Sequence, residues 1–167
     1  MEHQFSIKAF AELNPFELYA YLQLRSEVFV VEQNCVYQDL DDRDQLSLHV
    51  FVYHDDELVA CARIVPAGLA YPEISIGRVI VAEPYRKQQL GHELMRFCLA
   101  EIHKCFGQQK IVLSAQAHLQ GFYGQHGFVA DSAEVKSSIP GLAALAGQIG
   151  DRQVRAMGTM GGSVANN

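Results

Sequence analysis

The sequence has no apolar run near the ~18 residues that a membrane span requires, so no transmembrane segment is expected. Cysteine is sparse. Cys35, Cys61, Cys98 and Cys105 are widely spaced with no CxxC pair, which suits buried free thiols rather than a metal site or a disulfide framework. The seven histidines never fall at HxxxH or HxH spacing, so no metal is expected. Basic residues are in deficit, 13 Lys and Arg against 19 Asp and Glu, for a net charge of −6. A nucleic-acid partner, which demands a basic face, is therefore not expected. The opening Met1-Glu2-His3-Gln4 lacks the basic-then-apolar order of a signal peptide, and a cytoplasmic protein is the expectation.

What is present suits one globular unit. A chain of 167 residues that is 49% hydrophobic can bury a proper core. Phe5 to Phe10 alternates as a short strand. Asn14-Pro15-Phe16-Glu17 predicts a helix start with a capping box, continuing to about Phe29. Gln33 to Gln45 is a polar loop. Its run Asp39-Leu40-Asp41-Asp42-Arg43-Asp44 reads as a solvated loop, with a patch attracting cationic substrates as the alternative. Leu48–Tyr53 and Glu57–Val65 predict a hairpin turning at His54-Asp55-Asp56, and Ile74–Val81 a further strand. The period turns helical from Arg86 to Gly107. Ile111–Ala115 is a buried strand, and Leu119–Gln125 a short helix stopped by Gly127. That order describes a mixed α/β fold. After about Ala130 the composition shifts: Ser132 to Asn167 has neither Phe nor Tyr and is rich in Ala, Gly and Ser.

The most informative stretch joins the strand Ile74–Val81 to a turn and helix start at Glu83-Pro84-Tyr85-Arg86-Lys87-Gln88-Gln89-Leu90-Gly91-His92. Unpaired N–H groups at a helix start, aided by the helix dipole, bind phosphate. Arg86 and Lys87 add positive charge, and Gly91 permits close backbone approach. These residues point to an anion or pyrophosphate site, with an ordinary basic helix start as the alternative.

The same stretch resembles motif A of the GNAT acyltransferase superfamily, Q/R-x-x-G-x-G/A, with Arg86 first, Gly91 as the second glycine and Gln89 where the first would stand. Leu22–Cys35, Gly77–Val81 and Ala115–Phe128 resemble the ElaA-like branch in the order expected of it. The resemblance covers about residue 5 to Val129. It implies a mixed, mostly antiparallel central sheet flanked by helices, in a domain over 1–130. It also implies acetyl-coenzyme A as cosubstrate and transfer of its acetyl group to a primary amine, of a small molecule or a lysine. The pantetheine arm would lie along Val79, Ile80 and Val81. The pyrophosphate would lie on the amides of Arg86, Lys87, Gln88, Gln89, Leu90, Gly91 and His92, and Gln116 and Gln120 would line the acceptor or cofactor end. Tyr123 matches a tyrosine that donates to the departing thiolate, with packing of its ring under the sheet as the alternative. For the base, Glu73 and His118 are candidates, with Glu32 or His49 lining the acceptor cleft and a water path as the alternative to any single residue.

From Ala133 to Asn167 the chain does not continue as that family would. With Gly158-Thr159-Met160-Gly161-Gly162-Ser163 it resembles a piece of the FAD-binding medium subunit of molybdenum hydroxylases, as in a chimera. A fragment of ~35 residues is far below an independent domain, so the chain alone is not expected to bind FAD. Residues 131–167 are thus an atypical C-terminal segment. The rival functions are a coenzyme A-binding protein without turnover and a flavin-binding fragment grafted on a GNAT scaffold. A homodimer through an open sheet edge is a further expectation.

Overall fold

A computed structural model of the chain describes residues 2–130. The flavin-like stretch, the helix expected at 142–149 and the strand expected to run from Phe128 to 135 lie wholly or partly outside them.

Five strands form one sheet in chain order: β1 (Gln4–Ala9), β2 (Leu48–His54), β3 (Glu57–Val65), β4 (Ile74–Val81) and β5 (Ile111–Leu113). All pairs are antiparallel except β4 with β5. A parallel pair needs a crossover, and helix α2 (Leu90–Phe106) supplies it. Side-chain alternation sorts the strand residues onto two cores. On one face Val50, Val52, Ala60, Ala62, Ile76 and Val79 pack with the buried Leu90, Leu94, Met95, Cys98 and Ile102 of α2. On the other, Phe51, Cys61 and Ile80 meet Tyr21 and Leu24 of α1 (Pro15–Ser26) and the following Val28 and Phe29. Helices on both faces of a mostly antiparallel sheet are the architecture expected.

Local chemistry explains the element ends. Asn14 Oδ1 accepts from the amides of Phe16 and Glu17 at 2.9 and 3.0 Å, and Glu17 accepts from Asn14 N–H at 3.0 Å. This is the reciprocal cap that the sequence predicts. The β2–β3 turn places Asp55 and Asp56 at φ +47° and +67°, the mirror-image turn whose twist suits a hairpin. Helicity outlasts the predicted Phe29: Glu27–Glu32 continues as a wider π-helical segment. Conversely, α2 starts at Leu90, later than the predicted Arg86. A short turn at Glu83–Tyr85 comes first, and Lys87 and Gln89 then adopt φ +62° and +66°, which no α-helix continues through.

The aspartate run is not the solvated loop or the cationic-substrate patch expected: of its acidic residues only Asp42 is exposed. Asp39 and Asp44 are buried. Arg25 of α1 donates to Asp39 Oδ2 and Asp44 Oδ1, both at 2.7 Å. Arg63 of β3 donates to Asp41 at 2.6 and 2.7 Å and to Asp44 at 2.8 Å. Arg78 of β4 donates to Asp39 Oδ1 at 2.6 Å and to its carbonyl at 2.8 Å. His49, a candidate for the acceptor cleft, is fully buried beside this network, its Nε2 2.9 Å from Asp44 O. Of the thiols, Cys61 and Cys98 are buried as expected, but Cys105 is exposed and Cys35 partly so. Position 105 lies two turns beyond Cys98 on nearly the same stripe of α2, but in the last turn of the helix.

Burial pushes the Asp41 and Asp44 carboxyls up, but the facing arginines more than offset it and hold both below the ordinary carboxylate range. A depressed folded pKa gives stability that is present above the unfolded value of ~3.9 and is lost as pH falls through the folded value. Urea denaturation should therefore show stability declining steeply below about pH 4. At pH 7, Asp44→Asn should cost about 3–5 kcal/mol, because two buried guanidinium groups lose their shared partner. A change within experimental error would mean the network contributes nothing to stability.

Candidate functional site

The β4–β5 ladder stops early. Pairing runs Ile74–Ile111, Ser75–Val112 and Ile76–Leu113, and then the strands part. Just beyond, Arg78 takes φ +53°, and the register against β3 shifts between Cys61 and Arg63. This β-bulge bends β4. Further along, Ala82 N–H donates to Val59 O on β3 at 2.8 Å. By alternation the polar groups of Val81 face away from β3, toward the gap, and Arg86 Nε donates to Val81 O at 2.8 Å.

The gap opens into a cavity of about 250 Å³ lined by Val79, Val81, Arg86, Lys87, Gln89, Gly91, His92, Leu119 and Phe122. Its floor is apolar and its rim basic. Lys87 and Gln89, both left-handed, turn the chain so that the loop and the start of α2 curve around one end. Such alternation of backbone hands turns N–H groups into an anion-binding concavity. Gln89 manages without the glycine that the motif would place there, at a cost of about 1–2 kcal/mol for a left-handed L-residue. At Gly91 an added Cβ would lie 3.4 Å from the Phe122 ring and 3.8 Å from Val81 Cγ2. A Cβ would thus meet its neighbours at ordinary van der Waals contact, and what glycine adds here is bare backbone at the cavity.

The Arg86 guanidinium is already engaged. It makes a two-pronged ion pair with Glu32, at 2.6 and 2.7 Å, at the end of the π segment. Its side chain thus fastens the loop to Glu32 and to β4, while Lys87 is exposed and makes no ion pair among the described residues.

Seven of the expected cofactor residues, Val79, Val81, Arg86, Lys87, Gln89, Gly91 and His92, come together at this cavity. Others do not. Ile80 points into the opposite core with Tyr21 and Phe51, because alternation sends it there. Gln88 is exposed and donates to Pro84 O at 3.0 Å. Leu90 buries its side chain under the sheet, and Gln120 and His118 are exposed without lining the cavity. Glu73 precedes β4, roughly 20 Å from Val79 at about 3.3 Å per residue, and is paired with Lys110 at 2.8 Å. Gln116 is buried and donates to Gln33 at 3.2 Å, behind the π segment.

Tyr123 of α3 (Gln120–Gly124) is 1% exposed, in the core that also holds Val79, Leu113 and Ala115. Its ring meets Phe122 edge-on at 4.8 Å. Burial, then the neighbouring Cys98, pushes its phenol pKa well up, so the hydroxyl is protonated at neutral pH. Phe122, Leu119 and His126 were not foreseen as site residues. His126 Nε2 lies 2.9 Å from His92 Nδ1, a contact between positions 34 apart in sequence for which no motif gives a signal.

The acetyltransferase (GNAT) domain family matches residues 17–139, past the expected boundary at 130. Protein ElaA of Escherichia coli is 45% identical over 121 residues, covering 71% of this chain and 79% of ElaA. The crystal structure of ElaA superposes with a TM-score of 0.75 at 41% identity, covering 78% of this chain and 90% of that one. An acyl-CoA N-acyltransferase from Pseudomonas aeruginosa matches with TM-score 0.75 and 41% identity, over 78% of this chain and 89% of that one.

The left-handed loop can be tested without a ligand. Gln89→Gly should leave the melting temperature unchanged or raise it. Gln89→Val, β-branched in a left-handed position, should cost about 1–2 kcal/mol or more. Equal melting temperatures for the two variants would refute the strain assigned to this position.

Proposed function

This chain belongs to the GNAT acetyltransferase family, and from that membership we propose that it transfers an acetyl group from acetyl-coenzyme A to a primary amine, of a small molecule or an exposed lysine. The carrying observation is the parting of β4 from β5, which leaves backbone groups of Val81 turned into a gap that ends at a basic, left-handed loop. An amide-bearing arm ending in a pyrophosphate suits this arrangement. The strand edge offers main-chain hydrogen bonds, Val79, Val81 and Phe122 offer apolar contact, and the amides from Lys87 to His92 with the unpaired Lys87 offer the anion site.

Two proton transfers accompany the reaction. An alkylammonium with a pKa near ~10.4 must lose a proton before it attacks. Glu73 is paired with Lys110 and neither it nor His118 lines the cavity, which favours a water path over either as a single base. Tyr123, buried against Phe122 and not itself lining the cavity, keeps the role that the family resemblance implies, at the leaving sulfur. Its pKa lies above its ordinary value and a thiol near ~8.5 is the stronger acid, so full transfer from phenol to thiolate is uphill. A hydrogen bond to the thiolate is the role that suits it.

Acetyl-coenzyme A should raise the melting temperature of the purified chain, and Lys87→Glu should abolish the rise without lowering the melting temperature of the free protein. No shift in a cooperatively melting chain would rule the proposal out. Tyr123→Phe, which keeps the ring, should lower kcat roughly 10- to 100-fold with KM for acetyl-coenzyme A little changed, a hydrogen bond to a charged group being worth about 1.5–3 kcal/mol. Binding with no turnover on any amine would instead favour a coenzyme A-binding protein that does not catalyse.

A further inference from the structure

We propose that the His92–His126 pair takes up one proton when the pyrophosphate of coenzyme A binds, making both residues part of the cofactor site and cofactor affinity dependent on pH. This rests on the acyl-coenzyme A reading above.

His92 lies in the first turn of α2 and lines the cavity. His126, just past α3, is half-buried, with its Nε2 2.9 Å from His92 Nδ1. The two imidazoles and Phe122 form a triangle with centroids 4.6, 5.0 and 5.4 Å apart. Phe122, itself part of the cavity wall, packs against both rings of the pair.

At that distance the facing nitrogens must share one hydrogen. Two neutral rings satisfy this. One further proton, drawn from solvent or buffer, makes an imidazolium that donates to its neutral neighbour, so the contact survives and strengthens. A second further proton would put hydrogens on both facing nitrogens and break it. The pair therefore stores one added positive charge without moving.

In the free protein the surroundings oppose that charge. Arg96 on α2 and Lys87 on the loop across the cavity are cationic, while Arg86 is paired with the Glu32 carboxylate. Glu93, next to His92 in the chain, makes no ion pair with either ring, and neither does any other carboxylate among the described residues. Tyr123, the titratable group of α3, is neutral. Burial, the His92 ring and Arg96 together push His126 below its ordinary pKa. A pyrophosphate on the loop amides reverses the local field and draws the proton in. Uptake on binding means that affinity is highest at low pH and falls, by up to about tenfold per pH unit, as pH rises through the pair's titration.

The test is calorimetry at about pH 6.5 in two buffers of different ionisation enthalpy, using dephospho-coenzyme A. That ligand lacks the 3′-phosphate, whose own titration near pH 6 would contribute a proton change of the opposite sign. The wild-type chain should take up a fraction of a proton, at most one. His126→Phe, which keeps an aromatic ring against Phe122, should bind with clearly smaller uptake and a shallower pH dependence between pH 6 and 8. His126→Gln serves if the phenylalanine variant does not melt cooperatively. Binding without uptake by wild type, or uptake undiminished in the folded variant, overturns the inference while leaving the acyl-coenzyme A reading intact. No binding of dephospho-coenzyme A or coenzyme A to the wild type overturns both.

Discussion

Arg25, Arg63 and Arg78 come from α1, β3 and β4, and Asp39, Asp41 and Asp44 reach all three from one loop. Taking six charges out of water is costly, and a buried ion pair seldom improves on an apolar contact of the same volume. What the network supplies is position. Arg25 and Arg78 close on the same aspartate from opposite sides, and Arg63 shares Asp44 with Arg25. The loop, the helix and two strands are thus held to one geometry, in which every carboxylate has a guanidinium partner.

That geometry reaches the cavity through Arg78. This residue sits at positive φ in the bulge of β4, beyond the last β4–β5 pair, and its guanidinium is anchored on Asp39. A left-handed L-residue inside a strand costs about 1–2 kcal/mol, and the anchor offsets it. The bend carries Val79 and Val81 away from β5 and opens the gap. At the far end Arg86 ties the loop to Val81 and Glu32, so the π-helical end of the first helix and the loop around the cavity share a support. The working surface between these supports is largely backbone, with Lys87 making no ion pair among the described residues.

Features governed by near neighbours were legible in the sequence. The cap at Asn14, the Asp55-Asp56 hairpin, the strand Ile74–Val81 and the helix stop at Gly107 each depend on a few consecutive residues, and each formed where expected. Seven of the residues that the family resemblance implies for the cofactor line one cavity, because they lie along one strand edge and the turn that follows it. Features that join distant positions were not legible. The aspartate run reads as solvent-facing because its arginines lie 14 to 39 positions away, and the His92–His126 contact is invisible for the same reason. Alternation within the strand misassigned Ile80 once a whole segment was taken as cofactor-binding. The late start of α2 was missed because Lys87 and Gln89 tolerate the left-handed conformation without advertising it as glycine would.

The internal network also governs what an anion meets outside. Its three arginines and three aspartates cancel, so the net charge of −6 falls on the rest of the chain. An approaching anionic ligand is repelled at long range and attracted only within reach of the cavity rim, where Lys87 stands beside the Arg86–Glu32 pair. With a screening length of about 10 Å at 0.1 M salt, added salt shields the distant repulsion before it weakens the close attraction. Capture of such a ligand is therefore an encounter that moderate ionic strength hastens, the reverse of what guides an anion onto a basic protein.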